Sequence, residues 1–141
     1  MKKRIANLLF LSLLCVVAYG KKKEVVCQYP AFRYSTAAQL VPEQVRADKA
    51  GTTVVFRVEV RDQWRMASSA ALRADGQVLP LVSGRVCRVS PDGEEWAAFS
   101  PDSTYIGVSW RSKTAPRHGK LELTFPPLPK ECREFDFVEG A

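Results

Sequence analysis

The residues able to do nucleophilic or acid–base chemistry are few and widely separated in this 141-residue chain. Its single histidine, His118, lies in the stretch APRHGK, which is typical of a solvated turn. A catalytic nucleophile needs a base within hydrogen-bond reach, and no recognisable motif links a serine or cysteine to His118. We therefore expect no catalytic residue and interpret the chain as a non-enzyme.

Acidic residues gather in two adjacent predicted loops, where carboxylates can bind calcium. They are Asp92, Glu94, Glu95 and Asp102. The alternating carboxylates, the glycine and the closing glutamate of an EF-hand loop are missing from this stretch. Solvated turns are the better interpretation, and we expect neither a metal nor another cofactor.

The N-terminal stretch MKKRIANLLFLSLLCVVAYG has the three parts of a secretory signal. Its basic end precedes an apolar run, residues 5–17, that is too short for an ordinary transmembrane helix. Ala18, Tyr19 and Gly20 then place small residues at the two positions that signal peptidase reads. We predict a signal peptide at residues 1–20, cleavage after Gly20, and a periplasmic or secreted protein without a membrane span.

Cys15 raises the alternative of a lipoprotein anchored through this residue. The residue before it is Leu14, where a lipobox has a small residue, and no polar spacer follows. Export without lipidation is therefore the preferred interpretation.

The positive charge of the chain is concentrated at its N-terminus. The net charge is +6, with 21 Lys and Arg residues against 15 Asp and Glu residues. Three of the basic residues belong to the predicted signal and three more are Lys21, Lys22 and Lys23. Residues 24–141 therefore contain 15 basic and 15 acidic residues and have no net charge. A nucleic-acid interface needs basic side chains gathered on one face, so we expect no nucleic-acid partner for this neutral body.

Three cysteines remain after the predicted cleavage: Cys27, Cys87 and Cys132. Exported proteins permit disulfides, and an odd number of cysteines leaves one thiol unpaired. No pair has the C-x-x-C spacing of a dithiol redox centre or a zinc ribbon. Because Cys27 lies near the new terminus and the other two lie beside predicted strands, we predict a disulfide between Cys87 and Cys132.

The hydrophobic pattern alternates with a period of two along most of the chain. TTVVFRVEV, YIGVSW and KLELTF each place apolar residues on one face and polar residues on the other, as half-buried antiparallel strands do. Gly, Pro and Asp form turn signals between the strands, and Asp75-Gly76 is the best hairpin candidate. The predicted core residues are Phe56, Val58, Ile106, Val108, Trp110, Leu121, Leu123 and Phe125.

Residues 21–141 therefore predict a single all-β domain, an antiparallel β-sandwich of immunoglobulin-like type with seven or eight short strands. The stretch PPLPK lies between two alternating strands, and we interpret its prolines as a bend at which the chain changes sheets. Trp64 and Trp96 stand at strand ends beside turns, so they are the candidates for an exposed binding surface.

Three stretches resemble the β-rich N-terminal accessory domain of secreted thioredoxin-like thiol-disulfide proteins of Bacteroidetes: YPAFRYST, VFRVEVRDQWRMASSAALRADGQVLPL and LELTFPPLPKECREFDFVEG. The resemblance covers most of residues 21–141 and is densest near the C-terminus. It implies a free-standing accessory domain, because the thioredoxin-like domain with its catalytic Cys-x-x-Cys does not follow. Cys87 and Cys132 depart from the family pattern, which is consistent with a disulfide that compensates for a missing partner domain.

We expect a non-catalytic exported domain that binds a protein or a cell-envelope component. The alternative is a redox accessory role in which an unpaired cysteine such as Cys27 acts as a reactive thiol. Such a thiol needs a pKa lowered by an ordered cationic site. The nearby cations would be Lys21, Lys22 and Lys23, but we expect Cys27 to lie in a flexible terminal tail, so binding is the preferred function.

Overall fold

A computed structural model of the chain describes residues 9–12, 24–32, 40–60, 63–90, 93–99, 105–109 and 117–139. For residues 9–12, 60, 63–65, 89, 90, 99, 105–109 and 117 it describes the backbone only. Every helix or strand within these ranges is a β-strand, thirteen in all. Twelve of them lie in residues 21–141, rather than the seven or eight predicted there. The strands are β1 (Leu9–Ser12), β2 (Val25–Gln28), β3 (Ala31–Phe32), β4 (Leu40–Ala47), β5 (Thr52–Val60), β6 (Gln63–Ala67), β7 (Ala71–Ala74), β8 (Gln77–Pro80), β9 (Ser83–Ser90), β10 (Gly93–Phe99), β11 (Tyr105–Ser109), β12 (Arg117–Phe125) and β13 (Glu134–Val138).

The strands form two large sheets and one two-stranded ribbon. The six-stranded sheet has the order β10-β9-β12-β5-β4-β2, and the five-stranded sheet has the order β3-β1-β13-β7-β8. The ribbon pairs β11 with β6. Every pairing is antiparallel, which confirms the predicted all-β, antiparallel class.

The hydrophobic core takes side chains from both large sheets, the arrangement of a β-sandwich. Five of the eight predicted core residues are confirmed as buried: Phe56, Val58, Leu121, Leu123 and Phe125. Ile106 and Val108 belong to β11, for which only the backbone is described, and Trp110 lies outside the described residues.

Aromatic side chains connect the two large sheets across the core. Phe137 of β13 is fully buried, and its ring centroid lies 5.0 Å from that of Phe56 in β5. The ring of Phe125, at the end of β12, meets Phe137 edge-on at 6.3 Å. Tilted and edge-to-face contacts of this kind avoid the less favourable face-to-face stacking of aromatic rings.

The chain changes sheets at the proline-rich stretch, as predicted. β12 ends at Phe125 in the six-stranded sheet, and β13 begins at Glu134 in the five-stranded sheet. The buried Thr52 donates its hydroxyl to the carbonyl of Pro126 at 3.0 Å, which ties the bend to the start of β5. The buried hydroxyl of Thr52 needs such a partner, so this bond helps to fix the course of the bend.

The Asp75-Gly76 hairpin is also confirmed. β7 and β8 pair so that Ala74 lies opposite Gln77, which leaves Asp75 and Gly76 as the two turn residues. Their φ angles are 48° and 77°. Positive φ at both central residues is the requirement of the type I′ turn that suits the twist of two paired strands.

Residues within the predicted signal peptide take part in the five-stranded sheet. β1 pairs with β13 on one side, Leu9 opposite Phe137 and Ser12 opposite Glu134, and with β3 on the other. β13 therefore lies between β1 and β7. Cys15 and the predicted cleavage site at Gly20 lie outside the described residues.

The location of the core predicts different effects for one substitution at two strand positions. Val54→Ala and Val78→Ala remove the same two carbon atoms, but Val54 is 0% exposed and Val78 is 58% exposed. We expect Val54→Ala to lower the free energy of unfolding by about 2 kcal/mol, because burial is lost and a cavity forms. Val78→Ala should cost less than about 0.5 kcal/mol. Denaturant titration measures both, and equal costs would contradict a core at Val54.

The type I′ turn predicts a conformational penalty at Gly76. A Cβ atom there would meet no heavy atom within 4 Å, so Gly76→Ala tests backbone strain without a steric clash. We expect it to lower the free energy of unfolding by about 1 kcal/mol, because a left-handed φ is unfavourable for alanine. Asp75→Asn is the control and should change stability by less than about 0.5 kcal/mol, since asparagine tolerates this conformation. A neutral Gly76→Ala would contradict the turn type.

Candidate binding surface

The candidate surface is the outer face of the six-stranded sheet at β9, β10 and β12. Cys87 in β9 lies opposite both Trp96 of β10 and Lys120 of β12. Residues directly opposite one another in antiparallel strands share a face, and neighbours along a strand alternate. Leu121, the next residue after Lys120, is buried in the core, so Lys120 and Trp96 face away from the core. We call this group the outer patch; its members are Arg85, Glu94, Trp96, Lys120 and Glu122.

Trp96 is the aromatic member of the outer patch and is half-buried. The guanidinium carbon of Arg85 lies 4.4 Å from the centroid of its ring, within the range of a cation–π contact. The indole Nε1 of Trp96 donates a hydrogen bond to Glu94 Oε2 at 3.3 Å. A stacked cation and a bonded indole nitrogen therefore hold the ring in one orientation on the sheet.

Charged pairs connect the rest of the outer patch. Arg85 donates two hydrogen bonds to Glu122, from Nε to Oε1 at 3.0 Å and from Nη2 to Oε2 at 2.9 Å. Arg46 of β4 reaches across the intervening β5, and its Nη2 lies 3.8 Å from Glu122 Oε2. Lys120 Nζ donates a hydrogen bond to Glu94 Oε1 at 3.2 Å. These hydrogen bonds raise the pKa of Arg85 and of Lys120.

Solvent exposure limits what these pairs contribute to stability. The side chains of Arg85 and Glu94 are 48% and 45% exposed, whereas that of Glu122 is 17% exposed. Pairs at such exposed positions contribute at most about 1 kcal/mol each. Their main effect is to order the side chains around Trp96.

The thiol of Cys87 lies beneath the outer patch and is fully buried. Burial raises the pKa of Cys87, and the charge of Glu94 raises it further, while Lys120 and Arg85 act in the opposite direction. The net shift is upward, so this thiol holds less of the nucleophilic thiolate at neutral pH than an ordinary cysteine.

The other two cysteines contact the core from different elements. Cys132 follows the proline-rich bend, and its Sγ donates a hydrogen bond to the carbonyl of Glu134 at 3.1 Å. Burial raises the pKa of Cys132, with a smaller contribution from Asp75. Cys27 belongs to β2, the edge strand of the six-stranded sheet, where it lies opposite Val45. The expectation of a terminal tail at Cys27 is therefore wrong, because this residue is held in a strand against the core.

The predicted disulfide between Cys87 and Cys132 is not formed in this structure. Cys27, Cys87 and Cys132 are all free thiols. The alternation of β9 puts Cys87 on the outer face of the sheet, whereas Cys132 packs against the core on the other side. A disulfide requires the two sulfur atoms at about 2 Å, which residues on opposite sides of a sheet do not reach without backbone movement.

The structure separates the two tryptophans predicted as a binding surface. Trp96 belongs to the six-stranded sheet, whereas Trp64 belongs to β6 of the ribbon, opposite Val108. Only the backbone of Trp64 is described.

The charged members of the outer patch are not predicted from the sequence, although the alternating charges of GRVCRV and GKLEL are a signal for one polar strand face.

His118, Glu94 and Glu95 do not lie in the turns predicted for them. His118 is exposed but belongs to strand β12, opposite Glu59. Glu94 and Glu95 belong to strand β10, and Glu94 is bonded to Lys120 and Trp96. The other two acidic residues of the group lie outside the described ranges.

An open depression lies at the end of the six-stranded sheet next to the β4–β5 turn. Charged, hydroxyl and small residues line it: Glu24, Arg46, Asp48, Ala50, Gly51, Thr53 and Thr124. Asp48 is already engaged there, because its carboxylate accepts hydrogen bonds from the backbone N–H groups of Ala50 and Gly51 at 2.7 and 3.1 Å. These bonds complete the tight turn between β4 and β5.

Within the part of the chain that the structure describes, no group of three or more His, Cys, Asp or Glu side chains is placed to hold a metal ion. In the same residues no helix has the length and apolar character needed to cross a membrane. Comparison of the chain with protein-family models, with curated proteins and with solved structures finds no significant match.

The burial of Cys87 predicts a protected thiol. In the native protein at pH 7 we expect Cys87 to react with a disulfide reagent more than about 100-fold more slowly than in urea, because labelling requires an opening of the sheet. The rate should still be rising above about pH 8.5, the ordinary pKa of a cysteine, since its own pKa is raised. Stopped-flow labelling measures these rates, and Cys87→Ala identifies the phase that belongs to this residue. Fast labelling of native Cys87 at pH 7 would contradict its placement.

Proposed function

We propose that residues 21–141 are an exported, non-catalytic accessory domain that binds a protein or a cell-envelope component through the outer patch. The packed antiparallel sheets support the β-sandwich in this proposal, and its immunoglobulin-like type is part of the proposal. The resemblance to the accessory domains of secreted thioredoxin-like proteins supports the accessory role. The leader-like composition of residues 1–20 supports export.

The observation that carries the binding proposal is the ordered Trp96 on the outer face of the six-stranded sheet. Tryptophan and arginine are enriched among the residues that dominate protein interfaces. Trp96 is already oriented by Arg85 and Glu94, so little side-chain freedom remains to be lost on binding. An open sheet face suits a macromolecular partner, whereas small molecules bind in concave pockets.

The charges of the outer patch favour a partner that carries both signs. Arg85 and Lys120 are each paired with a carboxylate of the same sheet, so the patch is close to neutral. A partner would compete with Glu122 and Glu94 for these cations at exposed positions, where such exchange costs little. Charge complementarity of this mixed kind contributes specificity more than affinity.

The alternative redox role has weaker support. Burial raises the pKa of both Cys87 and Cys132, which lowers their reactivity as nucleophiles. Among the described residues the three free thiols also lie on separate elements, β9, β2 and the loop before β13. A dithiol relay requires two sulfur atoms close enough to exchange a bond.

The outer patch predicts that capture of a partner depends on Trp96. In cells treated with an amine-reactive cross-linker, we expect a specific cross-linked species with the wild-type protein and with Val78→Ala. Trp96→Ala should reduce its yield at least about tenfold, the effect of losing one dominant interface residue. Circular dichroism verifies that both variants fold. A species that persists in full with Trp96→Ala would contradict the proposal.

Export predicts the N-terminus of the protein recovered outside the cytoplasm. Intact-mass measurement should identify Lys21 as the first residue, since signal peptidase cleaves after Gly20. A lipid-modified Cys15 or a retained Met1 would contradict this prediction.

A further inference from the structure

Cleavage after Gly20 would remove β1 from the interior of the five-stranded sheet. β1 lies between β3 and β13, so its loss leaves one side of β13 unpaired and removes the strand that β3 pairs with in the described residues. An unpaired strand edge presents a row of backbone N–H and C=O groups that pair readily with another chain.

We infer that this slot between β3 and β13 binds an extended apolar strand of a partner protein, and that β1 occupies the slot in the precursor. The inference rests on the proposed export with cleavage after Gly20. It concerns the five-stranded sheet and is therefore distinct from the outer patch, which lies on the six-stranded sheet.

The register of β1 defines the residues that the slot accepts. Leu9 and Leu11 lie opposite Phe137 and Phe135, which are 0% and 2% exposed in the core. Ser12 lies opposite the half-buried Glu134. Because opposite residues share a face, the slot requires apolar residues at two alternate positions and accepts polar residues at those between.

The surroundings of the slot suit an added strand. Phe32 of β3 lies opposite Leu11 and is 45% exposed, so apolar surface is already present at the margin of the slot. On its other side β13 pairs with β7, Phe137 opposite Leu72, and this pairing does not involve β1. β13 therefore keeps its place in the sheet when β1 leaves. Main-chain pairing with alternate side-chain pockets is the usual mode of strand addition.

A second copy of this chain is a poorer occupant of the slot. Pairing the whole of β13 antiparallel with β13 of another copy would set Asp136 opposite Asp136, because this residue is the centre of the strand. Like charges directly opposite each other are destabilising. Burial already raises the pKa of Asp136 although Arg73 acts against the shift, so a second carboxylate at this position is unfavourable. A foreign strand with an uncharged residue there avoids the repulsion.

The experiment opens the slot in the full chain without cleavage. Leu11→Pro removes a backbone N–H from β1 and disfavours its pairing, whereas Leu11→Ala is the matched control that retains the N–H. The probe is a fluorescent peptide that carries Leu-Phe-Leu-Ser between lysines, and the control peptide carries Leu-Phe-Pro-Ser. Fluorescence anisotropy measures binding, and hydrogen exchange measures protection of the amides of Glu134–Val138.

We expect the Leu11→Pro chain to bind the probe at least about tenfold more tightly than the wild type or Leu11→Ala, in which β1 fills the slot. The probe should also slow exchange at β13 in the Leu11→Pro chain, and the proline peptide should do neither. This result does not depend on cleavage. A retained Met1 in the exported protein would therefore overturn cleavage after Gly20 separately from strand binding.

Three results would overturn the inference. The first is a folded Leu11→Pro chain that does not bind the probe, or that binds both peptides equally. The second is a dimer of this chain that excludes the probe, because the edge would then be an interface between copies. The third is unfolding of both Leu11→Pro and Leu9→Pro, since the sheet would then need β1 permanently.

Discussion

The packing of Phe137 against Phe56 and Phe125 is the contact on which the two-sheet arrangement depends. Phe56 and Phe125 belong to the six-stranded sheet and Phe137 to the five-stranded sheet, so these ring contacts cross the core. They form because the chain changes sheets between β12 and β13. Consecutive strands on opposite sides of the core bring the aromatic residues of both into contact. The proline-rich bend keeps this crossing short, and the hydrogen bond from the Thr52 hydroxyl to the Pro126 carbonyl holds the bend against the start of β5.

Both candidate surfaces follow from this arrangement. Since one face of the six-stranded sheet is committed to the core, the alternate residues of β9, β10 and β12 form the outer patch on its other face. The same alternation places Cys87 away from Cys132 and leaves both thiols free. In the five-stranded sheet, β13 supplies the core residues Phe135 and Phe137 and pairs with β1 along the edge that export would open.

Local sequence patterns predict the parts of the fold that depend on neighbouring residues. Alternation identifies the buried face of β5 and β12, two turn residues identify the β7–β8 hairpin, and prolines identify the crossing between sheets. Each of these features needs only the pleat or a local φ preference. The short β2 and β3 have too few residues for alternation to be distinguished from chance.

The outer patch and the state of the cysteines depend on pairings between distant parts of the chain. Arg85 and Glu122 meet although 37 residues separate them, and their contact requires the register of β9 against β12. A change of one residue in that register would turn the polar face towards the core. The same register decides which side of the sheet carries Cys87, so a position beside predicted strands does not show whether Cys87 can pair with Cys132.

The closure of the two sheets through Phe137 is tested most directly by a double-mutant cycle with Phe56. Phe56→Leu and Phe137→Leu are made singly and together, and the free energy of unfolding is measured for all four proteins. A direct ring contact at 5.0 Å predicts a coupling energy of about 0.5–1.5 kcal/mol between the two substitutions. Strictly additive effects would contradict a direct contact between these rings and, with it, the closure of the core by β13.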